Sequence, residues 1–446
     1  MERVHLISLG CPKNLMDSEL MLGALGAAGY EVTLDPSEAQ VVIVNTCAFI
    51  ESARKESIDA IIEAAELSKP GGATRLVVAG CLAQRYGDQL REQLPEVDIF
   101  VGTANFLDLP DLLRRTTPAE SVPAPYQGAG HLLASAAAPR VRLGDFFTSY
   151  LKISEGCNHR CAFCIIPKIR GLHESRPLDD VVAQARLLAQ GGVRELNLIA
   201  QDLTAYGRDL NPRATLASLL RALSAVRGIR WIRLLYCYPN FVTDELLDAI
   251  AELPTVVKYI DMPLQHGDDA MLRAMRRERS AASLSRLLDR VRARIPEVAL
   301  RTSFIVGFPG ETDAAFRNLL GFVNAEQFDR VGVFTYSREE NTDAYGLDGQ
   351  VPERTKRDRR AELMEMQSAI SHRKNRDLVG REVEVLVEGP APGHARKLRG
   401  RLASQAPEID GAVFLKGEAE AGEFVSARID RALTYDLHGQ VTAAIG

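Results

Sequence analysis

The segment Tyr150-Leu-Lys-Ile-Ser-Glu-Gly-Cys157-Asn-His-Arg-Cys161-Ala-Phe-Cys164 joins a short apolar strand to three closely spaced cysteines. The three thiols lie within eight residues, immediately after the predicted strand Tyr150 to Ile153. Three thiolates can hold three irons of a 4Fe-4S cube and leave the fourth iron open, whereas ferredoxins that carry electrons use four cysteines. Because an open iron can bind a substrate, this segment predicts a catalytic iron-sulfur cluster at a strand end.

A zinc site is the alternative for the same three cysteines. Structural zinc sites take four ligands, usually arranged as two separated pairs. His159 could supply a fourth ligand, but its position inside the tight loop makes that arrangement awkward. The cluster is therefore the preferred interpretation.

The cysteine segment belongs to a longer alternation of strands and helices. Six units are fewer than the eight that close a complete barrel, so we expect a partial (β/α)6 barrel with its chemistry at the carboxyl ends of the strands. A charged helix is predicted after Pro352, and residues 143–378 are assigned to this central domain with its connecting helix. The six predicted strands are Tyr150 to Ile153, Glu195 to Ala200, Trp231 to Tyr236, Val257 to Met262, Leu300 to Val306 and Val331 to Tyr336.

Residues 1–115 show the alternation that is typical of a parallel α/β sheet covered by helices. Three predicted strands each run into a cysteine, namely Cys11, Cys47 and Cys81. Since the carboxyl ends of parallel strands share one edge of a sheet, these thiols are expected to converge on a second three-cysteine cluster. Three independent buried thiols are the alternative, which explains the repeated position poorly. The predicted strands are Val4 to Leu9, Val41 to Thr46 and Leu76 to Ala79, and the predicted helices are Asp17 to Ala28, Glu51 to Leu67 and Gln84 to Leu94.

Length and composition predict several domains of mixed α/β class. The 446 residues suggest about three domains. Residues 116–142, rich in Ala, Pro, Gly and Ser, are predicted to be a linker. Residues 379–446 alternate in the manner of a small all-β barrel. A formal net charge of -5 argues against a general affinity for polyanions such as nucleic acids.

The sequence is expected to be that of a cytoplasmic protein without a membrane partner. No segment approaches the ~20 apolar residues that span a bilayer, and the N-terminus lacks a secretion signal. In the cytosol thiols stay reduced, so clustered cysteines are interpreted as metal ligands before disulfides. Of seven cysteines, six form the two sets of three, and Cys237 is interpreted as a packed free thiol.

The stretches around both cysteine sets resemble those of the methylthiotransferases, a family of the radical S-adenosylmethionine superfamily. The resemblance covers nearly the whole chain, and the C-terminal domain resembles a TRAM domain. The matching stretches are Leu9-Gly-Cys11-Pro-Lys-Asn14, Asp17-Ser-Glu19, Asn45-Thr-Cys47-Ala-Phe-Ile50, Ala79-Gly-Cys81 and Cys157-Asn-His-Arg-Cys161-Ala-Phe-Cys164-Ile-Ile-Pro-Lys-Ile-Arg-Gly171.

The resemblance implies two 4Fe-4S clusters, with S-adenosylmethionine as both methyl donor and radical source. The cluster at Cys157, Cys161 and Cys164 would generate a 5'-deoxyadenosyl radical that removes hydrogen from an unactivated carbon. The cluster at Cys11, Cys47 and Cys81 would hold a sulfide that is methylated and then delivered to the carbon radical. A C–H bond with no acidic proton calls for such a radical cofactor.

Other stretches are similar to the branch of the family that modifies the β-carbon of an aspartate in the twelfth small-subunit ribosomal protein. The resemblance implies three partners: a basic ribosomal protein, free or on the ribosome; a low-potential electron donor such as flavodoxin or ferredoxin; and a sulfur source. Gln405 stands where the family often has Asp. The stretches are Pro263-Leu-Gln-His266, Phe334-Thr-Tyr-Ser337 with Glu339-Glu340, and Ala406-Pro-Glu-Ile-Asp410.

Two other functions stay open at the level of sequence. One is methylthiolation of adenosine in transfer RNA, and the other is a non-enzymatic iron-sulfur carrier or redox sensor with an RNA-binding tail. From Gly380 onward there are eight Lys and Arg against ten Asp and Glu. A barrel that grips RNA should be basic, whereas an acidic one suits a basic ribosomal protein.

Additional candidate residues lie at or just beyond predicted strand ends, on the functional rim of the barrel. Phe163 would pack on the adenine, and residues 174–176 would bind the methionine or ribose groups. His173 is expected to be a surface residue. For each candidate the alternative is a structural turn or a salt bridge. The predicted cofactor-binding residues are Phe163, Glu174, Ser175, Arg176, Gln201, Asp202, Arg233, Gln265 and Gly307.

Overall fold

The N-terminal unit is built on a five-stranded parallel sheet. The computed structural model describes residues 2–67, 74–114, 133–210 and 214–445 of the chain. The strands are β1 (Arg3–Ser8), β2 (Glu31–Val32), β3 (Val41–Thr46), β4 (Arg75–Gly80) and β5 (Ile99–Val101). The helices are α1 (Pro12–Ala27), α2 (Glu51–Leu67), α3 (Cys81–Gln93) and α4 (Leu109–Arg114). The strand order is β2-β1-β3-β4-β5, and every pairing is parallel.

This sheet confirms the parallel α/β arrangement predicted for the N-terminal residues. The three strands that precede the cysteines, β1, β3 and β4, are direct neighbours. The sequence pattern did not reveal β2 and β5, because runs of two and three residues are too short to show a periodicity. Helix α1 begins at Pro12 instead of Asp17, since proline is favoured at the first helical position. Helix α3 begins at Cys81 instead of Gln84.

The central unit contains a six-stranded parallel sheet with helices on one side. Its sheet has the order β6-β9-β10-β11-β12-β13 and is open, because the two edge strands do not pair with each other. The strands are β6 (Thr148–Lys152), β7 (Ser154–Glu155), β8 (Glu174–Ser175), β9 (Glu195–Ile199), β10 (Trp231–Leu234), β11 (Val256–Asp261), β12 (Ala299–Val306) and β13 (Arg330–Thr335). The helices are α5 (Ile166–Arg170), α6 (Leu178–Gln190), α7 (Leu216–Ser224), α8 (Asp244–Glu252), α9 (Asp269–Ala274), α10 (Ala281–Arg294) and α11 (Asp313–Glu326).

All six strands of this sheet overlap the six predicted ones, which confirms the partial barrel. The two additional strands, β7 and β8, form a small antiparallel pair on either side of the cysteine loop. One face of the six-stranded sheet packs against its helices through side chains such as Leu196, Leu219 and Leu288. The opposite face buries a smaller apolar group against the C-terminal part of the chain. The strands therefore have a core on both faces.

A single charged helix, α12 (Glu353–Arg376), leads to a closed five-stranded C-terminal barrel. The helix begins directly after Pro352, as the sequence predicts. Phe424 and Leu386 of the barrel contact the group that contains Trp231 and Tyr259 of the central sheet. The barrel strands are β14 (Glu382–Ala391), β15 (His394–Leu402), β16 (Val413–Lys416), β17 (Phe424–Ala432) and β18 (Leu437–Ile445).

Two further predictions concern the linker and the absence of membrane-spanning segments. Of the linker, residues 115–132 lie outside the described residues, and residues 133–142 contain no helix or strand. None of the described helices combines the length and the apolar character needed to cross a bilayer.

Candidate active site

The three N-terminal cysteines lie at the carboxyl edge of neighbouring strands. Cys11 caps the start of α1, Cys47 follows β3, and Cys81 is the first residue of α3. Gly10 has a φ of +90°, and a Cβ at this position would be 2.8 Å from Cβ and 3.2 Å from Sγ of Cys47. Only glycine allows this approach. The loop that carries Cys11 therefore rests directly against Cys47.

Asn14 connects the same loop to the other two strands. Its Nδ2 donates to the Thr46 carbonyl oxygen at 2.8 Å, and its Oδ1 accepts from the Cys81 thiol at 3.6 Å. Burial raises the pKa of the Cys81 thiol to about 12, although the Arg170 guanidinium acts in the opposite direction. A thiol in this environment becomes a thiolate when a metal binds it. The buried thiols therefore fit a metal cluster better than free nucleophiles.

The second cysteine set lies on the loop between β7 and α5. Gly156, with a φ of +77°, allows the loop to turn close to the Leu172 carbonyl, and the Cys157 amide donates to the Gly171 carbonyl at 3.0 Å. Arg277 Nη1 donates to Cys161 Sγ at 3.4 Å. Burial raises the pKa of Cys157 to about 11 and raises that of Cys164 further. The loop therefore presents three partly or fully buried thiols that a positive metal centre would ionise.

The arrangement of these side chains does not match a single-zinc site. Across the described residues, no three His, Cys, Asp or Glu side chains are placed to hold one metal ion. His159 Nε2 lies 2.7 Å from Asp202 Oδ2, and its ring stacks on Tyr238 at 3.7 Å between centroids. A 4Fe-4S cube binds each thiolate through a different iron, so three thiols on one loop are a suitable donor set for it. The assignment of the cube to these cysteines stays a prediction.

Three buried oxygen atoms without partners surround the cysteine loop. Ser154 Oγ, Glu174 Oε2 and Gln201 Oε1 form no hydrogen bond within the described part of the chain. A buried acceptor without a donor costs about 1–3 kcal/mol, so such groups point to a missing water or ligand. Glu174 and Gln201 were predicted as cofactor-binding residues, whereas Ser154 was not. Burial raises the pKa of Glu174, which agrees with an acceptor that lacks a partner.

Other predicted residues near this loop already have protein partners. Ser175 Oγ donates to Asp209 at 2.6 Å, and Asp202 Oδ1 accepts from the amide and hydroxyl of Thr204. Arg176 donates to Asp180, to Gln184 Oε1 and to the Lys152 carbonyl. These bonds give the three residues a structural role, and a cofactor contact stays a prediction for each. His173 is not the surface residue that the sequence suggested, because its side chain is only 4% exposed and contacts Ser175.

Four predicted cofactor-binding residues remain, and each has a different environment in the structure. Phe163 packs against a buried group that includes Phe308 and Tyr336. Gln265 adopts a φ of +76°, and its backbone amide donates to the Ser303 carbonyl. Gly307 leaves room for Lys356, since a Cβ there would be 2.2 Å from Lys356 Cγ. Arg233 pairs with Glu195 at 2.9 Å and faces the C-terminal barrel.

A buried ion network joins helix α1 to the segments on either side of the second cysteine set, and sequence reasoning missed it. We call Asp17, Lys152, Glu155 and Arg170 the cysteine-side network; all four are buried. Lys152 Nζ lies 2.6 Å from both carboxylates, and Arg170 Nη1 lies 2.6 Å from Asp17 Oδ2 and 3.4 Å from Glu155 Oε2. Burial alone would raise the pKa of Glu155, but Lys152 and Arg170 hold it at about 2.

The same network reaches a cysteine through Arg170. Nη2 of Arg170 donates to Asn14 Oδ1 at 2.5 Å and to Cys81 Sγ at 3.4 Å. Arg170 itself follows Cys164 by six residues, at the end of α5. The spacing of residues in the sequence does not reveal these contacts, because Asp17 and Arg170 are 153 positions apart.

A basic cavity of about 540 Å³ opens beside the loop of the second cysteine set. Arg160 and Arg273 on its wall are exposed and have no ion-pair partner in the portion of the chain that the structure describes. Arg277, which contacts Cys161, also lines the cavity. A positively charged surface is therefore next to the second set of thiols. The lining residues are Asn158, His159, Arg160, Tyr238, Arg273, Arg276, Arg277 and Glu278.

Family models match all three units of the chain. Residues 3–102 match the uncharacterized protein family UPF0004, residues 151–323 match the radical SAM superfamily, and residues 379–442 match the TRAM domain.

Similar proteins agree with these matches. A protein of Anaeromyxobacter sp. (strain K), named ribosomal protein uS12 methylthiotransferase RimO, is 51% identical over 442 residues, which is 99% of this chain and 93% of that protein. The protein of the same name from Geobacter sulfurreducens is 47% identical over 99% of this chain and 98% of its own length. The radical S-adenosylmethionine methyltransferase TsrM from Kitasatospora setae has a similar fold, with a TM-score of 0.57 over 77% of each chain at 17% identity.

Proposed function

Because this chain belongs to the family of ribosomal protein uS12 methylthiotransferases, we propose that it adds a methylthio group to the β-carbon of an aspartate in the twelfth protein of the small ribosomal subunit. It is a radical S-adenosylmethionine enzyme that uses an iron-sulfur cluster. The observation that carries the finer proposal is that Arg170, six residues after the second cysteine set, contacts Cys81 of the first set through a buried ion network. With two cluster sites, one cluster can serve the radical step and the other can serve the sulfur donation.

Each cysteine set is assigned one 4Fe-4S cluster. Cys157, Cys161 and Cys164 would hold the cluster that binds S-adenosylmethionine, and the other three cysteines would hold the second. When bound, these groups supply the one-electron chemistry that opens an unactivated C–H bond and the methylthio group that replaces the hydrogen. The cysteine assignment is supported by the reduced state of all six thiols, three of them buried and three partly exposed, since a bound metal converts such thiols to thiolates.

S-adenosylmethionine is proposed to contact the unpartnered oxygens beside the second set. Ser154 and Glu174 lie on the two short strands that flank the cysteine loop, and Gln201 follows β9. Their free acceptors suit an ammonium group and ribose hydroxyls, which are donors. Gln201 Nε2 is held by Glu155, so its Oε1 is oriented by the cysteine-side network.

A basic protein substrate is supported by a second cavity where the three units meet. This cavity of about 460 Å³ is lined by residues of α1, the start of β6 and the C-terminal barrel. Four carboxylates and Arg399 line it. Glu19 is paired with Arg140, and Glu388 is paired with Arg399 and Arg401. Asp145 and Glu408 are exposed and have no ion pair within the described residues, so these two carboxylates attract the Lys and Arg side chains of a ribosomal protein and repel the phosphates of RNA.

An acidic, low-potential carrier such as flavodoxin or ferredoxin is the proposed electron donor. The exposed Arg160 and Arg273 lie on the wall of the cavity beside the second cysteine set. Complementary charge guides diffusional encounter between redox proteins, and it brings the donor to the cluster that must receive the electron. The sulfur source is proposed to be a separate delivery protein or inorganic sulfide.

The test uses full-length protein that is reconstituted with iron and sulfide under anaerobic conditions. Changing Cys11, Cys47 and Cys81 to Ala should halve the bound iron, retain 5'-deoxyadenosine formation and abolish methylthio transfer. Changing Cys157, Cys161 and Cys164 to Ala should halve the iron and abolish both activities. Mass spectrometry of the small-subunit protein and of transfer RNA, offered together, identifies the substrate. Unchanged iron in either triple variant, or a mass gain only on transfer RNA, would refute the proposal.

A further inference from the structure

We propose that Arg170 is a positioning residue that ties the two cysteine sets together and raises the reduction potential of the cluster held at Cys11, Cys47 and Cys81. This inference rests on the proposed function, because it requires a cluster at the N-terminal set. Arg170 contacts Cys81 Sγ from one side, while its other nitrogen is bound to Asp17 and Glu155.

The chain path explains how one side chain reaches both sets. After Cys164 the chain enters the short helix α5, which inserts against the N-terminal unit. Ile165 and Ile169 join the apolar core of that unit together with Leu82, and the Ile169 carbonyl accepts from Thr103 Oγ1 at 2.8 Å. Arg170 is thus anchored in the N-terminal core while it belongs to the loop of the second set. A shift of either cysteine loop would move the guanidinium relative to Cys81.

Every polar contact of the guanidinium head fixes its orientation. Nη1 faces the two carboxylates, and Nη2 faces Asn14 Oδ1 and Cys81 Sγ. A guanidinium is planar and donates in fixed directions, so binding at one edge sets the direction of the other. Lys152 neutralises the second charge of the carboxylate pair. The four-residue network is therefore neutral overall, with its positive end towards the thiol.

This orientation has a consequence for electron affinity. An iron-sulfur cluster becomes more negative when it accepts an electron, and N–H···S hydrogen bonds and nearby positive charge stabilise that state. Arg170 is 2% exposed, and a charge interaction in such a buried place is screened much less than at the surface. Removal of the guanidinium should therefore make the N-terminal cluster harder to reduce.

The experiment isolates the N-terminal cluster in the full-length chain. Cys157, Cys161 and Cys164 are changed to Ala, and the protein is reconstituted anaerobically so that one cluster remains. In this background, R170Q and R170K are compared by redox titration that follows the electron paramagnetic resonance signal. R170Q should lower the ratio of reduced to oxidised cluster about tenfold at a fixed potential, which is about 59 mV for a one-electron couple. R170K should retain most of the potential, because the positive charge remains.

The matched control is R401Q. Arg401 is similarly buried, at 1% exposed, and is paired with two carboxylates, Glu195 and Glu388, but its partners do not include a cysteine. R401Q should lower the thermal unfolding temperature to a similar extent as R170Q and leave the cluster potential unchanged.

Each outcome decides between the inference and its premise. If the background protein holds no cluster, the proposed N-terminal cluster is wrong. If the cluster is present and R170Q shifts its potential no more than R401Q does, the role of Arg170 is wrong while the proposed function stands. Loss of the cluster in R170Q, with retention in R170K and R401Q, supports the positioning role. Equal loss in R170Q and R401Q assigns the effect to unfolding and overturns the inference.

Discussion

Two buried ion networks lie at opposite ends of the central sheet and serve different purposes. The cysteine-side network lies beyond the carboxyl ends of the strands, and Arg170 of this network contacts a thiol. We call Glu195, Arg233, Glu388 and Arg401 the barrel-side network; it starts from the first residue of β9 and reaches the C-terminal barrel. Both networks join neighbouring units, but only the cysteine-side network contacts a cysteine thiol.

Burial of charge is therefore not by itself a sign of catalysis. In the barrel-side network, both oxygens of Glu195 accept from arginines, and Arg233 also donates to the Ala403 carbonyl. It therefore holds the barrel against the sheet. In the cysteine-side network the contacts extend to Cys81 and to Gln201, whose Oε1 stays free. What distinguishes the two networks is therefore that only the cysteine-side network contacts a thiol.

Removal of one shared carboxylate from each network should give the greatest loss of stability and should distinguish the two networks. Glu195→Ala leaves two buried guanidiniums without their shared carboxylate, and Glu155→Ala likewise removes a partner of Lys152 and Arg170. Each change should cost about 3–5 kcal/mol in the free energy of unfolding, because an unpaired buried charge remains. Denaturant unfolding of the apoprotein measures this. Only Glu155→Ala should also reduce iron retention in the folded holoenzyme; equal iron loss in both variants would remove the distinction.

Acid should weaken both networks in the same pH range. Lys152 and Arg170 hold the pKa of Glu155 at about 2, and Arg401 and Arg233 do the same for Glu195, in each case against the effect of burial. A carboxyl group with a lowered pKa in the folded state contributes stability above its usual pKa of about 4.5, and loses it as the pH falls towards 2. The loss is roughly 3 kcal/mol for each group at most. Unfolding of the apoprotein between pH 6 and pH 3 should show destabilisation that Glu195→Gln partly removes; an unchanged pH slope in that variant would contradict this.

The smallest expected effect concerns a contact beside the barrel-side network. Tyr259 Oη donates to Asp410 Oδ2 of the C-terminal barrel at 2.8 Å. Tyr259→Phe should cost about 1–2 kcal/mol, since it removes one hydrogen bond to a charged group. Thermal unfolding measures the change, and Tyr435→Phe, at an exposed position, is the control. If both variants unfold at the same temperature, this contact does not help to hold the barrel.

Much of the fold could be predicted from local patterns. The six strands of the central sheet, the helix after Pro352 and the parallel N-terminal sheet each follow from runs of apolar residues of suitable length. Strands such as β15, in the stretch His394–Leu402, were missed because charged residues interrupt the apolar alternation there. Both three-cysteine sets were likewise visible, one from its spacing and the other from its repeated position after a strand.

The environment of the cysteines could not be predicted in the same way. Asn14, Arg170 and Gly10 were visible only as parts of family-like stretches, and the sequence indicates no partner for any of them. Their contacts join residues that are up to 156 positions apart, as Arg170 and Asn14 are. Hydrogen-bond geometry of this kind depends on how two separately folded units dock.

Local sequence was enough to predict most of the elements and to propose which thiols bind iron, because helix and strand patterns and the spacing within a loop are properties of short segments. Only the tertiary structure decided which side chains surround those thiols. Arg170 reaches Cys81 because α5 packs into the N-terminal unit, and Arg401 reaches Glu195 because the C-terminal barrel covers the central sheet. A buried ion needs a partner within a few ångströms, and the folded chain supplies that partner from wherever it lies in the sequence.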